Sequence, residues 1–422
     1  MSGNFAIFGN EKMDVSTIIN VALYAIQHRG QICTGMTIFD YNNEIRDIKG
    51  QGLVSTVYND REVKLLEGNK GVGHVKYAFS DEAYDPNFMP YIYTVDGNDI
   101  VISIEGNVPE SNISPRVFVD LIRSDKETML KGIPEIKGAY SAIYMDEDKM
   151  VGIRDPWGIK PLSLGIFNGA YMLSSETCAF DSVGGEFIRD IEPGEIIFIE
   201  KDKIHSYKVD EHKKALCIFE FVYIARQDSY IENKSVYEAR YNMGKELYKE
   251  CPTDGDIVIG APDSGTIASL GYARESGIPF EQGIVKNRYI GRTFIEPTQE
   301  MREQSVKIKL TPLKTNIEGK RIILVDDSIV RGTTIKRIIK MLKEAGAKEV
   351  HVRVSSPPIR YSCDLSVDTP NEKKLISHGR TVEETREYIG ADSLYFISKD
   401  SLKRVCGNLG FCTNCFDGNY PI

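Results

Sequence analysis

The sequence predicts two domains of different fold class, an α+β domain followed by an α/β domain with a parallel sheet. The first half contains short apolar strands such as FAIFG, GAYSAIYMD and GEIIFIE, separated by helix-spaced segments. The second half repeats the order strand, loop, helix, and its strands are continuous apolar runs, a pattern typical of a parallel sheet covered on both faces. A charged stretch at 200–214 separates the two patterns. We therefore expect one domain over residues 2–205 and another over residues 206–422.

Composition and charge limit the class of protein. The chain has 422 residues, 41% of them hydrophobic and 27% charged, values typical of a soluble globular protein. No apolar run approaches the roughly 18 residues of a membrane span, and the amino terminus lacks the regions of a signal peptide. The net charge of −9 argues against general nucleic-acid binding. We expect a cytoplasmic protein without a membrane or nucleic-acid partner.

The opening segment MSGNFAIFGN puts Ser2 at the head of an apolar strand. A methionine before a small residue is normally removed, so the mature chain is expected to begin with Ser2. An amino-terminal serine is a possible catalyst, because its α-amine serves as the base for its own hydroxyl. Ser2 is therefore either a nucleophile or the position where a nucleophile once stood.

The strongest local pattern is ILVDDSIVRGTT at 323–334. It places Asp326 and Asp327 at the end of an apolar strand and follows them with a loop of small and hydroxylated residues. Backbone N–H groups and hydroxyls at a helix amino terminus bind phosphate, and paired carboxylates suit a ribose diol or Mg²⁺. A ribose 5-phosphate unit satisfies both halves. The alternative is an ordinary capped turn, which fits less well because strand, acidic pair, loop and helix occur together.

Two further segments fit an anionic ligand. IGAPDSGT at 259–266 is a second strand-to-helix loop, with Asp263 and Ser264 placed to contact pyrophosphate or Mg²⁺. The stretch 286–310 carries six cations, which are Lys286, Arg288, Arg292, Arg302, Lys307 and Lys309. Taken separately it is a solvated basic face; beside a pyrophosphate site it suits a lid that closes over the ligand and excludes water.

The pattern at 323–334 resembles the signature of type I phosphoribosyltransferases, which bind phosphoribosyl pyrophosphate (PRPP). Nearly the whole chain resembles the glutamine phosphoribosylpyrophosphate amidotransferase (amidophosphoribosyltransferase) family of purine biosynthesis, in blocks that include QHRGQ, RDPWGIKPLSLG, SSETCAFD, KNRYIGRTFI and SSPPI. The resemblance implies an αββα N-terminal-nucleophile domain that releases ammonia from glutamine. It also implies a phosphoribosyltransferase domain in which ammonia displaces pyrophosphate and gives 5-phosphoribosylamine. A homo-oligomer, tetramer or dimer, is implied as well.

By resemblance, the transferase half keeps the family's site residues. Ser264, Asp326 and Asp327 match the Mg²⁺ ligands. The catalytic residues are expected to be Asp326, Asp327, Lys286 and Arg288, with Lys286, Arg288 and Gln304 near pyrophosphate. The residues expected to hold the 5-phosphate are Ser328, Arg331, Gly332, Thr333 and Thr334. Asp263 and Ser264 complete the expected PRPP-binding set through their place in the loop at 259–266.

The resemblance also gives a role to half of the eight cysteines. In the iron–sulfur subgroup a structural [4Fe–4S] cluster has ligands at positions that match Cys217, Cys363, Cys412 and Cys415. The Cys-x-x-Cys pair alone is also compatible with zinc or redox chemistry. The remaining four are expected to be ordinary thiols: Cys33, Cys178, Cys251 and Cys406.

The glutaminase half departs from the family. Ser2 replaces the cysteine nucleophile, Lys76 replaces the arginine that binds the substrate carboxylate, and Glu105 replaces the oxyanion-hole asparagine beside Gly106. The following segment, SNISPRVFVDL, is shortened. Lysine lacks the bidentate fork of arginine. A glutamate is expected to put negative charge where an oxyanion must be stabilised, and loss of one such donor costs about 10²–10³ in rate.

These departures favour a PRPP-dependent transferase with a degenerate glutaminase site. Its nucleophile would be free ammonia, ammonia from a separate donating protein, or another small amine. The first alternative is a working glutamine-dependent enzyme that uses Ser2. The second is a non-catalytic sensor of PRPP or a nucleotide.

Overall fold

The structure is a computed structural model that describes residues 2–10, 13–77, 88–108, 114–201, 203–209, 212–287, 310–367 and 369–422. Within these ranges no helix combines the length and the apolar character needed to cross a bilayer.

The first domain is built on two antiparallel sheets. Its strands, in chain order, are β1 (Ser2–Phe8), β2 (Cys33–Phe39), β3 (Ile45–Gln51), β4 (Lys70–Lys76), β5 (Tyr91–Val95), β6 (Asn98–Asn107), β7 (Ala139–Met145), β8 (Lys149–Arg154), β9 (Ser163–Phe167), β10 (Ala170–Ser174), β11 (Glu186–Asp190), β12 (Glu195–Glu200) and β13 (Lys203–Lys208). One sheet has the order β11-β9-β10-β1-β4-β2-β3 and the other has the order β13-β12-β8-β7-β6-β5.

Helices cover the outer face of each sheet. They are Ser16–Ala25, Val54–Val57, Asp60–Leu65, Arg116–Arg123, Lys126–Glu135 and Cys178–Val183, with a short 3₁₀ turn at Gln27–Arg29. Side chains alternate along β1, so Phe5 packs with the helix Ser16–Ala25 whereas Ala6 packs between the sheets with Ile143 of β7. The other sheet packs in the same way on Arg116–Arg123 and Lys126–Glu135. The four layers confirm the predicted αββα architecture.

The predicted domain boundary at 205/206 is wrong in its position. Strand β13 pairs with β12 along its whole length and so belongs to the first domain, which therefore continues at least to Lys208. The strand lies at the edge of its sheet, and its polar residues Lys203, Ser206 and Lys208 are exposed. An edge strand needs polar residues toward solvent, and this polarity resembles that of a linker.

The second domain is built on a four-stranded parallel sheet. The strands of the whole domain, most of the short ones lying outside this sheet, are β14 (Leu216–Cys217), β15 (Tyr230–Ile231), β16 (Lys234–Ser235), β17 (Ile257–Gly260), β18 (Ile284–Lys286), β19 (Leu310–Pro312), β20 (Arg321–Asp326), β21 (Glu349–Val354), β22 (Ser393–Phe396) and β23 (Phe411–Cys412). Its helices are Glu220–Ile224 (a π-helix), Val236–Glu250, Thr266–Ser276, Lys314–Ile317, Thr333–Glu344, Glu372–Lys374 (a 3₁₀ turn), Val382–Ile389, Lys399–Val405 and Asn414–Asp417. The central sheet has the order β17-β20-β21-β22.

Both faces of this sheet are buried. Alternate residues of β20 point to opposite sides, so Ile323 packs with the helix Val236–Glu250 and Leu324 packs with the helix Thr333–Glu344. This two-sided burial explains the continuous apolar strands in the sequence, and it confirms the predicted α/β class.

The helices Val236–Glu250 and Thr266–Ser276 cross at two glycines. A Cβ on Gly244 would lie 1.8 Å from the carbonyl oxygen of Ala268, and a Cβ on Gly271 would lie 1.8 Å from that of Tyr241. Backbone therefore touches backbone at this crossing, and any side chain would separate the helices.

We predict that Gly244→Ala destabilises the protein. In an open helix the same change would stabilise it by about 1 kcal/mol; here overpacking should cost about 1–3 kcal/mol. The matched control is Arg274→Ala on the exposed face of the neighbouring helix, which should change the free energy of unfolding by less than about 0.5 kcal/mol. Chemical denaturation measures both, and stabilisation by Gly244→Ala would contradict the packing.

A buried histidine lies between the sheets of the first domain. His74 Nδ1 is 2.7 Å from Asn4 Oδ1 and 3.0 Å from Ser103 Oγ. Burial, together with the charge of Lys76, lowers the pKa of His74 to about 3. The folded state therefore holds the imidazole neutral.

We predict that this histidine makes the fold sensitive to acid. Because the folded pKa of His74 lies below its unfolded value, this group does not lower the free energy of unfolding above about pH 6.5. Between about pH 6.5 and pH 3 the unfolded state binds a proton that the folded state does not. The free energy of unfolding therefore falls by up to about 1.4 kcal/mol per pH unit in this range. His74→Asn should flatten this part of the curve. Unfolding free energies at pH 7, 6 and 5 would test it, and equal slopes for the two proteins would contradict it.

Candidate functional site

The acidic pair lies where two loops meet at the carboxyl edge of the parallel sheet. Strands β17 and β20 pair in parallel with Gly260 opposite Val325, so the loop after each strand leaves the sheet at the same place. Asp326 and Asp327 are almost fully buried. This edge is where ligands bind in open α/β sheets.

Two hydroxyls hold one of these carboxylates from opposite sides. Ser264 Oγ donates to Asp327 Oδ1 at 2.5 Å, and Ser328 Oγ donates to Asp327 Oδ2 at 2.7 Å. The Asp327 amide donates to Asp326 Oδ1 at 2.9 Å. The peptide bond between Pro262 and Asp263 is cis, and exposed Asp263 forms an ion pair with Lys286 of β18. The two predicted loops are thus brought together.

The electrostatics of the pair favour a bound cation. Burial, and then the adjacent charge of Asp327, raise the pKa of Asp326 well above its ordinary value. Two carboxylates this close resist ionising together, and a divalent cation would relieve that repulsion. The acidic pair and Ser264 are oxygen donors, the ligand type that Mg²⁺ prefers.

The loop after the acidic pair is shaped to bind an anion. Gly332 has a φ of +75°, a left-handed conformation that favours glycine, and a Cβ there would also lie 2.2 Å from Ile376 Cδ1. Arg331, Thr333 and Thr334 are exposed around the amino terminus of the helix Thr333–Glu344, whose first N–H groups have no partner within the helix. A cavity of about 100 Å³ adjoins the loop and is lined by Leu310, Thr333, Thr334, Arg337, Ile338 and Met341.

Two predicted site residues, Arg288 and Gln304, lie outside the described residues, as do Arg292, Arg302, Lys307 and Lys309. The predicted pyrophosphate contacts from this segment therefore stay predictions.

In the first domain, the predicted glutaminase residues gather at the ends of β1, β4 and β6. Ser2 is nearly buried and lies opposite Lys76 in the antiparallel pair. The Ser2 carbonyl accepts a hydrogen bond from Arg29 Nε at 3.0 Å. Gly106 has a φ of +107°, and a Cβ would lie 1.9 Å from the Ala139 carbonyl oxygen, so this backbone also requires glycine.

Glu105 is part of a buried ion network that sequence reasoning missed. Its carboxylate is 2.6 Å from Arg29 Nη2 and 2.8 Å from Lys160 Nζ, and Ser175 Oγ donates to it. Burial opposes ionisation, but the charges of Arg29 and Lys160 outweigh it and lower the pKa of Glu105 to about 2. The expected negative charge is therefore present, yet it is neutralised rather than left unpaired.

The network extends into the second domain through Glu220. Arg29 Nη1 donates to Glu220 Oε2 and Arg29 Nη2 donates to Glu220 Oε1, both at 2.9 Å. Lys160 Nζ is 3.2 Å from Glu220 Oε1. Arg29 also contacts Glu176 at 2.5 Å. The five charged side chains, hereafter the junction network, are all fully buried: Arg29, Glu105, Lys160, Glu176 and Glu220. A faint signal existed, because Arg29 and Lys160 lie in blocks that resemble the family.

Four cysteines predicted as cluster ligands come together near this junction. Cys217 pairs with Cys412 in the short parallel ladder of β14 and β23, and the amides of Ser366 and Val367 each lie 3.4 Å from Cys363 Sγ. Burial, and then the other three thiols, raise the pKa of Cys415 above its ordinary value. Thiols this close repel one another when they ionise, and a bound cation would relieve that repulsion.

Across the part of the chain that the structure describes, no group of three or more His, Cys, Asp or Glu side chains is arranged to hold a single metal ion. The acidic pair supplies only two carboxylates.

Known proteins match this chain over its whole length. The family profile described as phosphoribosyl transferase domain matches residues 227–361. The amidophosphoribosyltransferase of Pyrococcus horikoshii is 42% identical, over 100% of this chain and 97% of that protein. Amidophosphoribosyltransferase 1, chloroplastic, of Arabidopsis thaliana is 40% identical, over 100% of this chain and 78% of that protein.

A solved structure matches equally well. The glutamine PRPP amidotransferase of B. subtilis, complexed with ADP and GMP, superposes with a TM-score of 0.91 at 38% identity and covers 99% of this chain and 97% of that one. Together with the acidic pair, the anion loop and the αββα domain, these matches show that the chain belongs to the amidophosphoribosyltransferase family of glycosyltransferases.

Proposed function

We propose that the protein transfers the phosphoribosyl group of PRPP to ammonia and forms 5-phosphoribosylamine, with glutamine as the source of the ammonia. The observation that carries the transferase step is the buried pair Asp326 and Asp327 beside a hydroxyl-rich loop at a helix amino terminus. The choice of glutamine follows the family relatives, which are named as amidophosphoribosyltransferases. These relatives favour the glutamine-dependent alternative over the reaction with ammonia alone. Because they are enzymes, they also disfavour the alternative of a non-catalytic sensor of PRPP or a nucleotide.

In this proposal each part of the transferase site has one task. Asp326, Asp327 and Ser264 would hold Mg²⁺ together with oxygens of PRPP, and the bound cation would offset the charge of the leaving pyrophosphate. The backbone of the loop from Ser328 to Thr334 would bind the 5-phosphate. Lys286, already near the site through Asp263, would bind pyrophosphate together with Arg288 and Gln304.

For glutamine hydrolysis, Ser2 would be the nucleophile and its α-amine the base. The hydrogen bond from Arg29 to the Ser2 carbonyl would hold the first residue in place. Lys76, directly opposite Ser2 in the sheet, would attract the substrate carboxylate.

A second candidate uses ammonia directly, either free or from a separate donating protein, and it is favoured by Glu105. An amide at this position would offer an N–H donor to an oxyanion, whereas the ionised carboxylate offers none. Ser2 and Lys76 are also weaker choices than cysteine and arginine. In this candidate the first domain no longer hydrolyses glutamine.

We further propose that Cys217, Cys363, Cys412 and Cys415 hold a structural [4Fe–4S] cluster. The donors are thiols, the ligand type of such clusters, and amides donate to Cys363 Sγ. Their apolar surroundings include Phe219, Phe221 and Phe416. We also propose a cytoplasmic homo-oligomer.

We predict that Asp326→Asn lowers PRPP turnover by at least about 10–100-fold, since even outer-shell partners of a metal site have effects of that size. Pyrophosphate release from PRPP, Mg²⁺ and ammonium measures it. The matched control is Asp256→Asn, a carboxylate that binds Arg321 near the start of β17, at the opposite edge of the sheet. Full activity in Asp326→Asn would overturn the transferase proposal.

We predict that Ser2→Ala abolishes pyrophosphate release driven by glutamine and leaves release driven by ammonium unchanged. The reason is that only the first reaction needs the Ser2 hydroxyl. Parallel assays with the two donors, each followed by glutamate quantification, separate the candidates. A wild-type protein that turns over PRPP with ammonium but releases no glutamate would reject glutamine as the donor and establish the second candidate.

A further inference from the structure

A narrow cleft separates the end of β6 from one cysteine-bearing loop of the second domain. It has a volume of about 210 Å³ and is lined by Gly106, Asn107 and the loop from Cys363 to Val367. Asn107 Nδ2 donates to the Asp364 carbonyl oxygen across the cleft at 2.5 Å. The loop is thus held against the first domain at one side of the cleft by a hydrogen bond between neutral groups.

Lys160 also holds the same loop, through a charged hydrogen bond to Ser366. Lys160 Nζ lies 2.8 Å from Glu105 Oε1, 3.2 Å from Glu220 Oε1 and 3.2 Å from Ser366 Oγ. An ammonium has three protons to donate, so these three contacts use all of them. The Ser366 amide in turn donates to Cys363 Sγ.

We propose that Glu105 is a positioning residue that acts through Lys160 to hold the Cys363 loop in place. Glu105 supplies the shortest of the three contacts to Lys160. Both carboxylates are shared with Arg29, which binds Glu105 through Nη2 and Glu220 through both terminal nitrogens. Without the charge of Glu105, the ammonium is left with a shared carboxylate and is no longer fixed against Ser366.

The geometry gives this residue a role that does not require glutamine hydrolysis. Glu105 on β6 and Glu220 on the π-helix Glu220–Ile224 lie in different domains, and Lys160 contacts both. The inference rests on the proposed function only in treating Cys363 as a cluster ligand.

The test is the rate at which iodoacetamide alkylates Cys363 in the full-length protein after removal of iron, resolved by peptide mass spectrometry. Glu105→Gln keeps the size of the side chain and removes its charge. We expect Cys363 to react about tenfold faster in this variant, equivalent to about 1.4 kcal/mol in loop opening. Cys251, which is partly exposed and follows the carboxyl end of the helix Val236–Glu250, should react at an unchanged rate and serves as the internal standard.

Two further variants keep the result interpretable. Glu195→Gln removes a buried carboxylate of the same domain that binds Arg189 through both oxygens, and it should leave Cys363 unchanged. Glu105→Asp keeps the charge and should restore part of the protection. If Glu105→Gln does not fold, Ser366→Ala removes the other end of the link and should also expose Cys363.

Equal alkylation of Cys363 in wild type, Glu105→Gln and Ser366→Ala would overturn the inference, as would equal acceleration by Glu195→Gln. Ammonium-dependent pyrophosphate release is measured in the same preparations. Protected Cys363 in an active Glu105→Gln enzyme rejects only the positioning role. Faster alkylation in a variant whose wild-type parent shows no PRPP turnover rejects only the proposed transferase function.

Discussion

The rest of the structure depends on the burial of charge at the junction of the two domains. All members of the junction network are fully buried, and an unpaired charge in such a place costs several kcal/mol. Because Glu220 comes from the second domain and its partners Arg29 and Lys160 from the first, separating the domains would remove both of these cationic partners from the Glu220 carboxylate. The network therefore sets how the two domains meet, and with it the cleft and the cysteine loop.

The transferase site depends on a different constraint, the register of a parallel sheet. Pairing Gly260 with Val325 brings the loops after β17 and β20 to one edge. Ser264 and Asp327 then meet although they lie 63 positions apart. The two carboxylates of the acidic pair repel each other when both are ionised and no cation is bound. The site therefore favours an anionic ligand that binds together with a cation.

What the sequence could predict follows from how local each feature is. The apolar strand, acidic pair and loop at 323–334 are consecutive, so their joint pattern indicates both the fold and the ligand class. The contact between Ser264 and Asp327 could not be predicted in this way, because it depends on how β17 and β20 pair in the sheet. Strand β13 was missed as part of the first domain because an exposed edge strand and a charged linker have similar compositions. The junction network was missed because Arg29 and Glu220 lie 191 positions apart, and neither residue alone indicates its partner.

Glu105 shows why a site residue cannot be interpreted from its own chemistry alone. From the sequence its charge is expected to repel an oxyanion, and the structure adds that two cations already neutralise it. A carboxylate is tolerated in this buried position because Arg29 and Lys160 supply the positive charge that burial demands. The same neutralisation weakens its repulsion of an oxyanion, but it cannot turn a carboxylate into a hydrogen-bond donor. The loss of that donor, rather than the added charge, is therefore the physical obstacle that glutamine hydrolysis at Ser2 has to overcome.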